Sequence, residues 1–328
     1  MWLTNLLNKV PTFSSLAPSK LSLTAEYARL LPRKQKTGSN KGSSYVDDFE
    51  STQTGIDLRS PYSWFLASTP YDPTPDALFP EAALSNNVDY GKNRALLNWY
   101  FIDRMFTERN SSLAPGYLKA DLKQLSNPYV REVKMREIFP GRDAKYGESQ
   151  IVQTLNLSFY PTERGPYNLD ADNIGSDGRL QNPEKRWGGI MRRLDNTNFE
   201  QSNIEYIQFW LLNPFLDPDN PNPEGGDLYI NLGEISEDIL KDGLKSYENG
   251  VPVDGNNQYM RETVWGRVSS QNSLTYSFDN NSSARVTQDV GLDGLSNNDE
   301  FQFPSYRDYV SRLQQRLDAV TLDSMQRD

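Results

Sequence analysis

IVQTLNLSF (151–159) alternates along its length: Ile151, Gln153, Leu155, Leu157 and Phe159 fall on one side, and Val152, Thr154, Asn156 and Ser158 on the other. A period of two matches the pleat of a half-buried β-strand. Further strand-like segments follow downstream: RWGGIMRRL (186–194), NIEYIQFWLL (203–212) and DLYINLGEI (227–235), separated by turn-rich loops such as DPDNPNPEGG (217–226). Ile204 to Leu212 is apolar on both faces, as for a central strand covered from two sides. Several short strands at this spacing predict a mainly β fold, a jelly-roll-like β-sandwich with a few helices.

Upstream, LSLTAEYARLL (21–31) sets Leu21, Leu23, Ala25 and Tyr27 against Ser22, Thr24 and Glu26 and predicts another half-buried strand. Its length also suits a strand of a membrane barrel. PRKQKTGSNKGSS (32–44) is basic and rich in Gly and Ser, a mobile loop. Residues 44–68 predict strand, polar turn and strand, and the prolines of YDPTPDALFP (71–80) break regular structure. NRALLNWYFIDRMF (93–106) is a buried helix or long strand, and GYLKADLKQL (116–125) a short helix stopped by Asn127-Pro128. Ser236 is placed to cap a helix over SEDILKDGLKSYENG, with Gly250 to end it. Near the C-terminus Val310, Leu313, Leu317 and Val320 recur at helical intervals. The expected divisions are 1–43 (strand and basic loop), 44–270 (sandwich with a helical insertion near 93–126) and 271–328 (polar loop and amphipathic helix).

Composition excludes whole classes of chemistry. The 328 residues contain no Cys and no His. Disulfide frameworks, thiolate zinc sites, cysteine nucleophiles, Ser-His-Asp relays and HExxH metal sites are therefore absent. A net charge of −10 leaves no basic footprint, so no nucleic-acid partner is expected. No run of 18 apolar residues predicts a membrane-spanning helix, and the start, MWLTNLLNKVPTFSS, lacks the pattern of a signal peptide. No carboxylate pair is singled out for hydrolysis, and an enzyme is not expected.

DVGLDGLSNNDE (289–300) is a candidate calcium loop, the one cofactor the residues suggest. Counted from Asp289, oxygen ligands fall at Asp289, Asp293, the Leu295 carbonyl, Asn297 and Glu300, with Gly294 at the turn position. Gly291 supplies no side chain at the third position, and the polar NNSSARVTQ (280–288) gives no sign of a preceding helix. Asp47, Asp48 and Glu50 form a second carboxylate cluster. Arg186, Trp187, Arg192 and Arg193 are candidates for gripping a partner's carboxylates, or for pairing with the chain's own acids. Gly188 and Gly189 allow a close backbone approach or mark a bulge. Trp64, Trp99, Trp187 and Trp210 are core residues or a sugar-stacking platform.

A series of longer motifs occurs in order: YVDDFE (45–50), LRSPYSWFLASTP (58–70), REIFP (136–140), LNLSFYPTERGPYN (155–168), PEKRWGGIMRRL (183–194), NIEYIQFWLLNPF (203–215), GGDLYINLGEISEDILKDG (225–243) and QDVGLDGL (288–295). Together they resemble the SprA/Sov family, the outer-membrane translocons of the type IX secretion system of the Bacteroidetes, which also serve gliding motility. The resemblance implies an internal segment of a very large outer-membrane β-barrel protein at the cell surface, the segment itself soluble. It implies as partners the rest of the barrel, a PorV-like barrel subunit, and secreted cargo with C-terminal type IX signals. YVDDFE with residues 150–235 also resembles galactose-binding-like jelly rolls, so a carbohydrate-binding module is the alternative expectation.

Overall fold

The computed structural model describes residues 55–74, 77–107, 112–125, 127–141, 149–195, 198–200, 204–213, 215, 225–233, 235–244, 257–269, 280–288, 290–291 and 293–327. The chain divides into two compact units, Met1–Thr54 with Asn198–Glu205, and Gly55–Thr197 with Tyr206–Asp328. In the first unit, the Ile204 N–H donates to the Phe199 carbonyl at 2.9 Å. The strand expected at 21–31, the basic loop, and Asp47, Asp48 and Glu50 lie outside the described residues.

The second unit is built from small antiparallel sheets and short helices. Its strands are β1 (Phe65–Leu66), β2 (Ala95–Tyr100), β3 (Val133–Lys134), β4 (Ile151–Val152), β5 (Asn156–Arg164), β6 (Ile190–Met191), β7 (Met260–Glu262) and β8 (Arg267–Ser269). Among the described residues they pair as four two-stranded ladders, β1–β6, β2–β5, β3–β4 and β7–β8. Among the described residues helix, at 28%, exceeds strand, at 15%, and the ladders do not join into a sandwich.

The longest ladder joins the two strongest sequence signals. β2 comes from the run expected as a helix or long strand; its aromatic side chains suit a pleated surface, and Leu97 faces Phe159 while Trp99 faces Leu157. Asp103 ends the strand, its carboxylate accepting from the Met105 N–H at 2.8 Å. The alternating stretch 151–159 is not one strand. β4 pairs with β3, and β5 starts only at Asn156, whose side-chain amide donates to the Thr154 carbonyl at 3.3 Å and the Tyr100 carbonyl at 3.3 Å. Those local bonds turn the chain between two different partners.

Gly188 and Gly189 precede β6 and permit the close approach their sequence suggested. A Cβ on Gly188 would lie 2.7 Å from Leu97 Cβ, and one on Gly189 3.2 Å from Ala67 Cβ. Without side chains here, the segment lies against β2 and β1 together.

The helices are α1 (Gly116–Ala120), α2 (Leu122–Leu125), α3 (Met135–Ile138), α4 (Ser282–Gln288), α5 (Asn297–Glu300), α6 (Pro304–Gln314) and α7 (Ala319–Arg327). α1 and α2 realise the helix expected before Asn127-Pro128, broken at Asp121, whose carboxylate accepts from the Lys123 N–H at 3.0 Å. The helix expected after Ser236 does not form over residues 236–244. There the Asp238 carboxylate accepts from the N–H groups of Leu240 (3.3 Å), Asp242 (3.4 Å) and Gly243 (2.8 Å) and folds the chain into turns. Asp and Ser compete with the helical backbone in this way.

The C-terminal amphipathic pattern yields α6 and α7. Pro304 starts α6 at a position whose N–H no helix would use, and Asp318 accepts from the Thr321 N–H at 2.8 Å to start α7. Tyr309, Leu313 and Leu317 are buried with Ala95, Ala171, Ile174 and Leu180, whereas Val320 is 81% exposed. Residues 304–317 thus share a core with β2 and are integral to the unit. A second cluster packs Tyr90, Leu240 and Trp265. Among the described residues no helix is long and apolar enough to cross a membrane.

Candidate functional site

Two constellations of charge stand out, one buried and one at the entrance to the C-terminal helices. In the first, the Arg186 guanidinium donates to the Asp170 carboxylate at 3.0 Å, the Lys92 carbonyl at 2.6 Å and the Gln181 carbonyl at 2.9 Å. Both charged side chains are almost fully buried. Asp170 sits in NLDADN, a run of turn formers, and also accepts from the N–H groups of Asp172 (3.0 Å) and Asn173 (3.2 Å). A buried charge pair held by this many bonds fixes a loop geometry.

Arg94 follows Lys92, whose carbonyl receives Arg186, by two residues, and is wholly buried with no carboxylate partner among the described residues. It donates to Ala67 O at 3.1 Å, Pro166 O at 3.3 Å and Ile239 O at 3.4 Å, with its guanidinium 5.2 Å from the Trp187 ring centroid. Burial pushes its pKa down to about 10, partly countered by Tyr90 and Tyr167. It still carries its charge at neutral pH. Asn168 donates to the Arg94 carbonyl at 2.6 Å and ties the two arginine sites together through the backbone.

These placements correct part of the partner-binding expectation. Arg186 and Trp187 are buried and engaged by their own chain, Trp187 against Phe79 with ring centroids 5.5 Å apart. Arg192 donates to the Asp57 carbonyl at 2.7 Å and stacks on Trp64 at 6.0 Å; Arg193 is exposed. The tryptophans likewise have separate environments: Trp64 and Trp99 are half-buried, Trp187 is buried, and Trp210 is 68% exposed. Sequence reasoning passed over Arg94 and Asp170, because a lone charged residue carries no period. The NLDADN run was the available signal for Asp170.

The second constellation is the candidate calcium loop. Asp289 lies outside the described residues. The Asp293 carboxylate accepts from the Leu295 N–H at 3.1 Å. A Cβ built on Gly291 would lie 3.2 Å from Asp293 Oδ1, 3.8 Å from the Leu295 carbonyl oxygen and 3.9 Å from Glu300 Oε1, so these three predicted ligand oxygens surround one glycine. Gly294 takes φ +71° with its α-carbon pressed toward the Arg267 carbonyl, as its turn position required. Asn297 is exposed at the first residue of α5. The expectation of no preceding helix is corrected: α4 runs directly up to the loop, with Asn281 Oδ1 accepting from the Ser283 N–H at 3.1 Å.

Burial, then the charge of Asp293, push the Glu300 carboxyl up to about 7, and burial also raises Asp293. The Arg164 charge opposes the rise at Glu300. The loop therefore favours the protonated form of Glu300 more than an exposed carboxyl would. Calcium takes six to eight oxygens, and among the described residues no three acidic side chains gather into a metal cluster.

No family model matches this chain, and no curated protein does. What remains for a functional reading is the motif series itself and the way the fold uses it. LRSPYSWFLASTP meets PEKRWGGIMRRL through β1–β6, where Phe65 faces Met191 and Leu66 faces Ile190. LNLSFYPTERGPYN supplies β5 and the Gly165 N–H that donates to the Arg94 carbonyl at 3.3 Å.

Proposed function

We propose that the chain is a non-enzymatic segment of a SprA-like type IX secretion translocon, at the outer membrane, needed for protein secretion and gliding motility. The observation that carries the reading is the ordered run of motifs from YVDDFE to QDVGLDGL. Their placement supports it: the motif segments described in the second unit pack on one another and hold its buried arginines. Such a segment acts as a rigid body that shapes the pore or its mouth and presents surfaces to cargo, to a PorV-like subunit and to the rest of the barrel. In the complete translocon the small ladders extend into a jelly-roll-like sandwich.

The test is an in-frame deletion of residues 45–270 from the parent gene. Secretion of cargo bearing type IX signals stops, while the barrel still reaches the outer membrane. Normal secretion with an assembled barrel would overturn the reading. The alternative, a carbohydrate-binding module, is favoured only by the exposure of Trp210 and its neighbours; it predicts glycan-array binding that disappears in Trp210→Ala.

A further inference from the structure

Residues 194–240 contain ten Asp and Glu and neither Lys nor Arg. Within this acidic stretch lie two runs free of helix, turn and bend, Tyr206–Leu212 and Asp227–Leu232, that pair with no strand among the described residues. Their large side chains face solvent: Phe209 is 54% exposed, Trp210 68%, Leu211 69%, Leu228 58% and Leu232 60%. Consecutive residues from Tyr206 to Leu212 apart from Gln208 are large and apolar, and all of those are exposed. Next to the second run, a Cβ on Gly226 would lie 3.5 Å from the Phe215 ring.

We infer that these two runs form an acceptor for an extended polypeptide segment that is both apolar and basic, bound by strand addition. Three properties select that occupant. Backbone with unladdered N–H and C=O groups is the template for main-chain pairing. Contiguous exposed apolar side chains mark a surface that is covered in the working protein. A stretch of ten carboxylates without a cation favours Lys and Arg side chains beside the apolar ones, and repels nucleic acid and anionic lipid surfaces. A second copy would set the same ten carboxylates against each other. The inference deepens the translocon reading by naming the partner's chemistry and rests on it for the partner's origin.

The experiment uses the whole chain and two labelled synthetic peptides, one alternating Val with Lys and one alternating Val with Glu. In fluorescence anisotropy at low salt, the Lys peptide binds at least about tenfold more tightly than the Glu peptide, and raising salt several-fold erases most of that preference. Hydrogen exchange on the complex shows new protection at 206–212 and 227–232. Asp227→Lys weakens binding several-fold, and because Asp227 is exposed the thermal melt stays put. Equal binding of the two peptides, or protection confined to other segments, would overturn the inference. So would protection of these runs that grows with protein concentration without peptide, which would assign them to a second copy, or displacement of the peptide by a glycan. Lost secretion in the deletion strain together with no peptide binding would overturn this inference and leave the translocon reading standing.

Discussion

Arg186 and Asp170 form a 3.0 Å ion pair with side chains only 1% and 4% exposed, sixteen positions apart in sequence. Because each charge is the other's main compensation, removing one leaves the other stranded in a poorly hydrated interior. Arg186→Met and Asp170→Asn are each expected to lower unfolding free energy by about 3–5 kcal/mol. The double variant should lose clearly less than the sum, as a denaturant-based double-mutant cycle would reveal. Additive losses would mean that the pair is not energetically coupled.

Gly188 offers a test of packing without any charge. Its Cβ would sit 2.7 Å from Leu97 Cβ and 3.0 Å from the Phe159 ring, so Gly188→Ala forces the β2–β5 ladder and the segment before β6 apart. A cost of about 1–3 kcal/mol is expected from overpacking, read as a shifted denaturation midpoint with an unchanged slope. A neutral or stabilising result would show that the approach is looser than described.

Leu313 is 1% exposed in the cluster that α6 shares with β2. Leu313→Ala should cost about 2–5 kcal/mol, whereas Val320→Ala, at an 81% exposed position, should fall within about 0.5 kcal/mol of the parent. Similar effects at the two positions would detach the C-terminal helices from the core.

The Asp293–Glu300 pair predicts a pH dependence with a definite sign. Burial and then the Asp293 charge raise Glu300 from 4.5 to about 7 in the folded chain. Below pH 4.5 the folded and unfolded chains both hold the proton, and the stabilising contribution is fully present. Between 4.5 and 7 the unfolded chain gives up its proton first, so stability falls as pH rises, and it levels off above 7. Glu300→Gln removes this slope and melts higher than the parent at pH 8. Parallel melting curves for the two proteins from pH 4 to 8 would refute the coupling.

These particular residues also show what the sequence made legible. Leu157 and Phe159 revealed a strand through their alternation, Gly188 and Gly189 a close approach through missing side chains, and Leu313 and Leu317 a helix face through their spacing. All three signals are local. The break between β4 and β5 was hidden because alternation cannot report that a chain changes partners. Asp238 replaced the expected helix with turns because its carboxylate found three backbone N–H groups within five residues. Arg94 and Arg186 were least legible, since an arginine reads as surface until distant carbonyls are known to surround it. At the carboxylate loop, spacing brought Asp293, the Leu295 carbonyl and Glu300 together around Gly291, yet gave no hint of the burial that raises Glu300.

The central claim is that this chain belongs to a much larger outer-membrane polypeptide of the SprA-like type. The most direct measurement is to place an epitope tag in the native gene beside Arg193, an exposed position, and follow the tagged product through cell fractionation and denaturing electrophoresis. The account predicts a single band far heavier than the 37.4 kDa of the 328 residues, in the outer-membrane fraction. A tagged band near 37.4 kDa in the cytosolic fraction would contradict it.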